Sequence, residues 1–205
     1  MTTPKPIYIW FDLEFTDLDP DRAQILQVAM LATDVDLQLL EPGDRGLNFL
    51  LQLDPAATVS DWVAEHLADL LDRCRSPEAL SAQAAEARML AYLDRVAGPR
   101  ADAIDQRPVL AGNSVHNDWR LACRHYPTVM DRLHYRLLDV TTLKLHWQDW
   151  LLQPEFDKDQ AQEVLAHLPF PVDALEGRPH DAFYDILASI AELNFYRKHL
   201  LTLKP

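Results

Sequence analysis

The sequence predicts an α/β protein with a mixed central β-sheet flanked by α-helices. Three observations carry that prediction. The first quarter of the chain holds three apolar, β-rich runs with short polar breaks between them. After Ser60 the apolar spacing becomes helical. Two further compact apolar runs, at 108–113 and 137–138, then return among the helical stretches. A chain of 205 residues supplies one sizeable core without requiring a second. Residues 1–205 therefore read as a single domain, with a core over 7–199 and a variable helical or looped excursion over 153–178.

The first run, Ile7-Tyr8-Ile9-Trp10-Phe11, reads as a strand buried on both faces that ends in two carboxylates, Asp12 and Glu14. A polar loop with Pro20 and three aspartates follows. Residues 25–32 and 47–53 read as the second and third strands, and their short connections suggest an antiparallel meander. Ser60 starts a helix with Val63, Leu67, Leu70 and Leu71 at helical spacing. Ser76-Pro77-Glu78 reads as a second start, for an Ala-rich helix running to about Val96 and stopped by Gly98-Pro99. Residues 108–113 form a strand in the same sheet, helix resumes from Asn117, and Leu137-Leu138 make a short strand before Asp139 caps another helix. The last helix, about 181–199, carries the stripe Ala182, Ile186, Ser189, Leu193, Tyr196 and Leu200.

Composition narrows the function classes. A formal net charge of −13 argues against a basic track for long nucleic acid. Two cysteines, Cys74 and Cys123, are too few for a disulfide framework and lack metal-binding spacing. With no signal-peptide pattern and no run of about 18 apolar residues, the expected location is cytoplasmic, away from membranes.

Three places put charge where structure alone does not ask for it. Asp12 and Glu14 are two apart on a strand, so both point to one face. Like charges held together call for a positive partner such as Mg2+ or Mn2+, although either residue could simply start a turn. Asp118 sits in a first helical turn, where Asp is also an ordinary dipole partner. Asp185 lies at the edge of the buried stripe, a costly position unless it is metal-bound or paired, with Arg178 or Lys198 as candidate partners. His180 stands just outside the helix, free to act on a substrate or to be an exposed bystander.

Taken in order, Asp12-Leu13-Glu14-Phe15-Thr16, Gly112-Asn113-Ser114 with Asp118, and His180 with Asp185 resemble the three-part signature of the DEDDh 3′-to-5′ exonucleases of the RNase H-like, DnaQ-like superfamily. With His134-Tyr135-Arg136, the run Leu138-Asp139-Val140-Thr141-Thr142-Leu143-Lys144, and Ala191-Glu192-Leu193 followed by Tyr196-Arg197, the pattern is similar to the oligoribonucleases over residues 7–199. The resemblance implies an RNase H-like exonuclease fold and hydrolysis of dinucleotides and very short RNA to nucleoside 5′-monophosphates. It also implies two divalent ions, Mg2+ or Mn2+, held by Asp12, Glu14, Asp118 and Asp185, with Asp12 bridging. His180 would be the general base. Leu18 would wedge between two bases, and Trp62 would pack on a base unless it is an ordinary buried helix Trp. Ser114 would meet the 5′ phosphate. Tyr135, Arg136 and Thr141 would cap that phosphate from the second subunit of a homodimer, the bland reading of Arg136 being a surface salt bridge.

An enzyme that encloses a dinucleotide, signalling dinucleotides such as pGpG included, needs no basic track. Two other readings compete: a proofreading-type or tRNA-trimming exonuclease on longer strands, and a non-catalytic nucleotide-binding protein of the same fold. Asp17 stands where the family has Gly, so a turn suited to Gly and one more negative charge are expected there.

Overall fold

The structure is a computed structural model, and it describes residues 6–151, 156–172, 175 and 177–201. Five strands, β1 (Ile7–Phe15), β2 (Ile25–Asp34), β3 (Leu47–Leu50), β4 (Val109–Gly112) and β5 (Leu137–Asp139), make one sheet in the order β3-β2-β1-β4-β5. β1 and β2 pair antiparallel, as do β2 and β3, whereas β4 runs parallel to both β1 and β5. Short loops can join antiparallel neighbours, but the parallel pairs need crossovers, and the helices supply them. The expected mixed sheet flanked by helices is present.

Side-chain alternation along β1 divides the interior. Ile9, Phe11 and Leu13 join one core with Met89, Tyr92 and Leu93 of α3 (Ala82–Ala97) and Leu121 of α4 (His116–His125). Trp10 faces the other way, into a core built on Ile186, Ile190 and Leu193 of α8 (Ala182–Leu201). α8 is buried on nearly every side, so the expected single stripe was too narrow, and its last member, Leu200, is exposed. A smaller cluster packs Leu26 against Val63 of α1 (Asp61–His66) and Leu70 and Leu71 of α2 (Ala68–Cys74).

Several expected boundaries hold. Ser60 caps α1 by accepting from Val63 N, and Gly98, at φ +73°, closes α3. Asp139 accepts from Thr141 N and starts α6 (Val140–His146), which passes into a π-helical turn, Trp147–Leu151. The expected start at Ser76 is wrong: α3 begins at Ala82, capped by Ser81. Leu80 is instead held in an extended link, where its N–H donates to Leu50 O at 2.8 Å and its carbonyl accepts from Gln52 N at 2.9 Å. Tertiary pairing there overrides the Ser-Pro-Glu helix signal. The short helices α5 (Pro127–Met130) and α7 (Ala161–His167) complete the order, α7 lying within the expected excursion.

Candidate active site

β1 outruns its parallel neighbour. Pairing with β4 ends at Trp10↔Ala111, and the strand continues to Phe15 along β2 alone. The residues that follow Trp10 on its face are Asp12 and Glu14, so both carboxylates open toward α8 at the uncovered end of the sheet. Gly112 makes this close approach possible, because a Cβ there would meet Phe11 O at 3.0 Å. The chain then turns into α4, whose first turn sends Asp118 back to β1. Its Oδ1 accepts from Leu13 N at 2.9 Å, a backbone donor left over where β4 has ended.

Asp185 enters from α8. Asp181 caps that helix by accepting from Phe183 N, while Gln27 of β2, opposite Glu14, accepts from Ala182 N and donates to Asp181 Oδ2. With the helix start fixed on the sheet, the first turn delivers Asp185 beside Glu14. Asp185 Oδ2 accepts from His180 N at 3.0 Å, and Oδ1 receives Lys158 Nζ at 3.3 Å. Neither Arg178 nor Lys198 is that partner; Arg178 lies beside Asp69 instead. His180 adopts a left-handed φ of +67°, a costly backbone for a residue with a side chain. One potential ligand atom each from Glu14, His180 and Asp185 lie within 4.8 Å of one another.

The electrostatics follow from this crowding. Burial, then Asp118, Asp185 and Glu14, push the Asp12 carboxyl well above its usual range. Glu14 is pushed up to about 8 by burial first and Asp185 next. Asp118 also rises to about 8, through burial, even though the Leu13 N–H favours its ionised form. Lys158 is drawn down by burial, but Asp185 and Asp12 outweigh this and raise it. Hard oxygen donors that cannot all ionise together without added positive charge are what a divalent cation suits.

These groups floor a cleft of about 490 Å3 that is also lined by Leu18, Trp62, Asn113, Ser114 and Asn117. Leu18 is 78% exposed and Trp62 47%, so Trp62 is not a buried helix residue. Trp62 stacks on His66 at 4.7 Å and meets the His180 ring edge-on at 5.2 Å. Ser114, at φ +48°, donates its N–H to Asp139 Oδ1 and Thr141 Oγ1. Thr141 thus braces Ser114 within the same chain. Tyr135 and Arg136 are exposed and do not line the cleft.

Asp17 departs from expectation. Its φ is not positive, so the position does not demand Gly. Its carboxylate accepts from Arg22 Nη2 and from Asp19 N, both at 2.8 Å, which offsets its charge and braces the loop carrying Leu18. Sequence reasoning missed Lys158, whose only signal was a cation between Asp157 and Asp159. It also missed Gln27, hidden in an apolar strand. Residues 152–155, 173, 174 and 176 of the excursion lie outside the described residues, in which no helix is long and apolar enough to cross a membrane.

Known proteins resemble the chain both in sequence and in fold. The RNase T model, described as Exonuclease, matches residues 9–193. The chain is 36% identical over 199 residues to the oligoribonuclease of Sodalis glossinidius, covering 95% of this chain and 96% of that one. It is 34% identical over 198 residues to that of Coxiella burnetii, covering 95% and 94%. Among solved structures, Escherichia coli exonuclease I bound to a 5cy-dT13 oligonucleotide aligns at TM-score 0.64 and 13% identity, over 97% of this chain and 44% of that one. Schizosaccharomyces pombe Pop2p, in its Mg2+ and Mn2+ bound form, aligns at TM-score 0.59 and 11% identity, over 96% and 84%. The chain spans less than half of the exonuclease I chain, and both likenesses show the RNase H-like fold alone. The family model and the relatives together make the chain a nuclease: it belongs to the exonuclease family and, within it, to the oligoribonucleases.

Proposed function

We propose that the chain hydrolyses dinucleotides and other very short oligoribonucleotides from the 3′ end, releasing nucleoside 5′-monophosphates in the cytoplasm. One observation carries the reading. Carboxylates from three separate elements, β1, α4 and α8, converge with His180 in a bounded cleft whose other walls include exposed Leu18 and Trp62. Clefts of a few hundred Å3 enclose small ligands, and a net charge of −13 gives a long polyanion no welcome.

Asp12, Glu14, Asp118 and Asp185 are the residues that would hold divalent metal. Two Mg2+ or Mn2+ ions, when bound, would neutralise charge on the attacking and leaving oxygens of the phosphodiester. The chain's own groups do the rest. His180, aimed at Glu14 and Asp185 by its left-handed backbone and its N–H bond to Asp185, takes a proton from the attacking water. The new P–O bond forms as the P–O3′ bond breaks, and the 3′ oxygen leaves to acquire a proton. Leu18 and Trp62 offer apolar faces to the two bases, and Ser114 offers its hydroxyl to the phosphate at the far end. Tyr135 and Arg136 are exposed beside each other, with the guanidinium 5.6 Å from the ring, and would cap that phosphate from the second subunit of a homodimer.

The test compares 5′-phosphorylated dinucleotide with a 20-mer RNA in Mg2+, Mn2+ or chelator. The dinucleotide should be consumed faster than the 20-mer in metal and not at all in chelator. Asp185→Ala should abolish turnover, and His180→Ala should lower kcat by about 10²–10⁴-fold. No turnover of dinucleotide in either metal would overturn the reading. Faster consumption of the 20-mer would move it to an exonuclease of longer strands.

A further inference from the structure

We propose that Lys158 is the cleft's resident counter-cation, and that it weakens divalent metal binding at Asp185 by competing for Asp185 Oδ1. The proposal rests on reading Asp185 as a metal ligand and assigns the site a tuning residue outside the acidic set.

Lys158 is held in place from several directions. Its carbonyl accepts from Tyr184 Oη at 2.8 Å, and Tyr184 is itself buried on α8, one residue before Asp185. The turn around it is pinned where Asp159 N donates to Asp157 Oδ1 at 3.0 Å and Gln160 N donates to Asp157 O at 3.2 Å. The backbone of Lys158 is therefore tied to the same helix that carries Asp185, and its ammonium reaches Asp185 Oδ1 at 3.3 Å. The other oxygen, Oδ2, is already committed to His180 N. Oδ1 is thus the oxygen that a cation would claim, and Lys158 holds it.

The influence of this charge extends beyond Asp185. It also bears on Asp12 and Glu14, whose carboxylates share the cleft with it. A single positive charge cannot balance four carboxylates, but it can hold them together in the absence of metal. A dication arriving at Oδ1 would sit against that ammonium, and two positive charges at contact distance repel strongly. Lysine's flexible four-carbon stem lets the ammonium retreat while the backbone stays fixed, and its side chain is already 36% exposed. Metal must therefore displace Lys158 before it binds Asp185 fully. This makes Lys158 a positioning residue that acts through Asp185, and it gives a mechanical reason for a lone lysine among Asp157, Asp159 and Glu163.

The test counts free Mn2+ by electron paramagnetic resonance during titration of the full-length chain, without substrate. The set comprises the unchanged chain, Lys158→Met, Lys158→Gln, Lys158→Arg, Asp185→Ala, and Lys158→Met combined with Asp185→Ala. Lys158→Met and Lys158→Gln should each tighten Mn2+ binding by about three- to tenfold, a gain limited by solvent screening of a partly exposed charge. Lys158→Arg, which keeps the charge, should restore the original affinity or weaken it further. Adding Asp185→Ala should erase the gain. A purely structural role would move none of these affinities in that order. Unchanged or weaker Mn2+ binding in both neutral variants would overturn the proposal while leaving the metal site standing. Equal Mn2+ binding by the unchanged chain and Asp185→Ala would remove Asp185 from the ligands, and this proposal with it.

Discussion

Glu14 and Asp118 keep their protons up to about pH 8 in the metal-free fold, burial being the main cause for both. Once unfolded, each returns to an ordinary carboxylate value. Between those limits the folded chain binds more protons than the unfolded chain, so stability falls as pH rises. Their contribution is fully present below the unfolded values and is lost on passing the folded ones. In chelator, the melting temperature should drop between about pH 5.5 and pH 8.5, and Asp118→Asn should flatten part of the slope. A melting temperature that rises over this range would contradict the assignment. The principal residues of the cleft were legible because each carries a charge that its element does not require. Asp12 and Glu14 end an apolar strand, and Asp185 borders a buried stripe. Lys158 was not legible, because a lysine among acidic residues looks the same whether it faces solvent or a cleft. Asp17 was legible only as an oddity, since its partner Arg22 declares itself through geometry alone.

Between elements, one contact shows how the sheet is secured to its cover. β3 ends opposite Met30, so the N–H of Ala32, further along β2, has no β3 residue beside it. Tyr92 of α3 accepts that N–H on its hydroxyl at 2.8 Å and donates to Asp44 Oδ2 at 2.8 Å. Asp44 is also paired with Arg95 Nη2 at 2.9 Å. Tyr92→Phe would orphan a buried donor, costing about 1–3 kcal/mol, and the melting temperature should fall by roughly 2–4 °C for each kcal/mol lost in a chain of this size. A variant that melts with the unchanged chain would show that water replaces the phenol. Element types were mostly legible because period and turn residues agree along the chain. The Ser76 start failed for a specific reason: its local cap signal competed with a pairing between Leu80 and Leu50–Gln52 that no local pattern reveals. α8 was under-read because a helix packed on all sides looks, from its strongest positions, like one with a single stripe.

At the scale of the molecule, Tyr135 and Arg136 stand outside the residues that line the cleft. If a neighbouring subunit supplies these groups, Arg136→Ala should weaken binding of 5′-phosphorylated dinucleotide at least about tenfold while leaving the unphosphorylated form within about twofold, as loss of a bidentate phosphate contact predicts. Light scattering should report a dimer for the unchanged chain. A monomer that binds both dinucleotides with equal affinity would end the idea. Subunit pairing was the least legible level, since exposed side chains on a single chain do not name what they meet. The floor of the cleft belongs to the central strand of the sheet, with β2 registered to β1 from Ile7 to Glu14 and Asp118 fastened to Leu13. The reactive carboxylates therefore have no hinge of their own. Local breathing can open the loop of Leu18 or the turn of His180, but Asp12 and Glu14 shift only when the sheet itself comes apart. On heating, the metal-holding pair Asp12 and Glu14 should therefore outlast the turn of His180 and be lost only as the sheet itself melts.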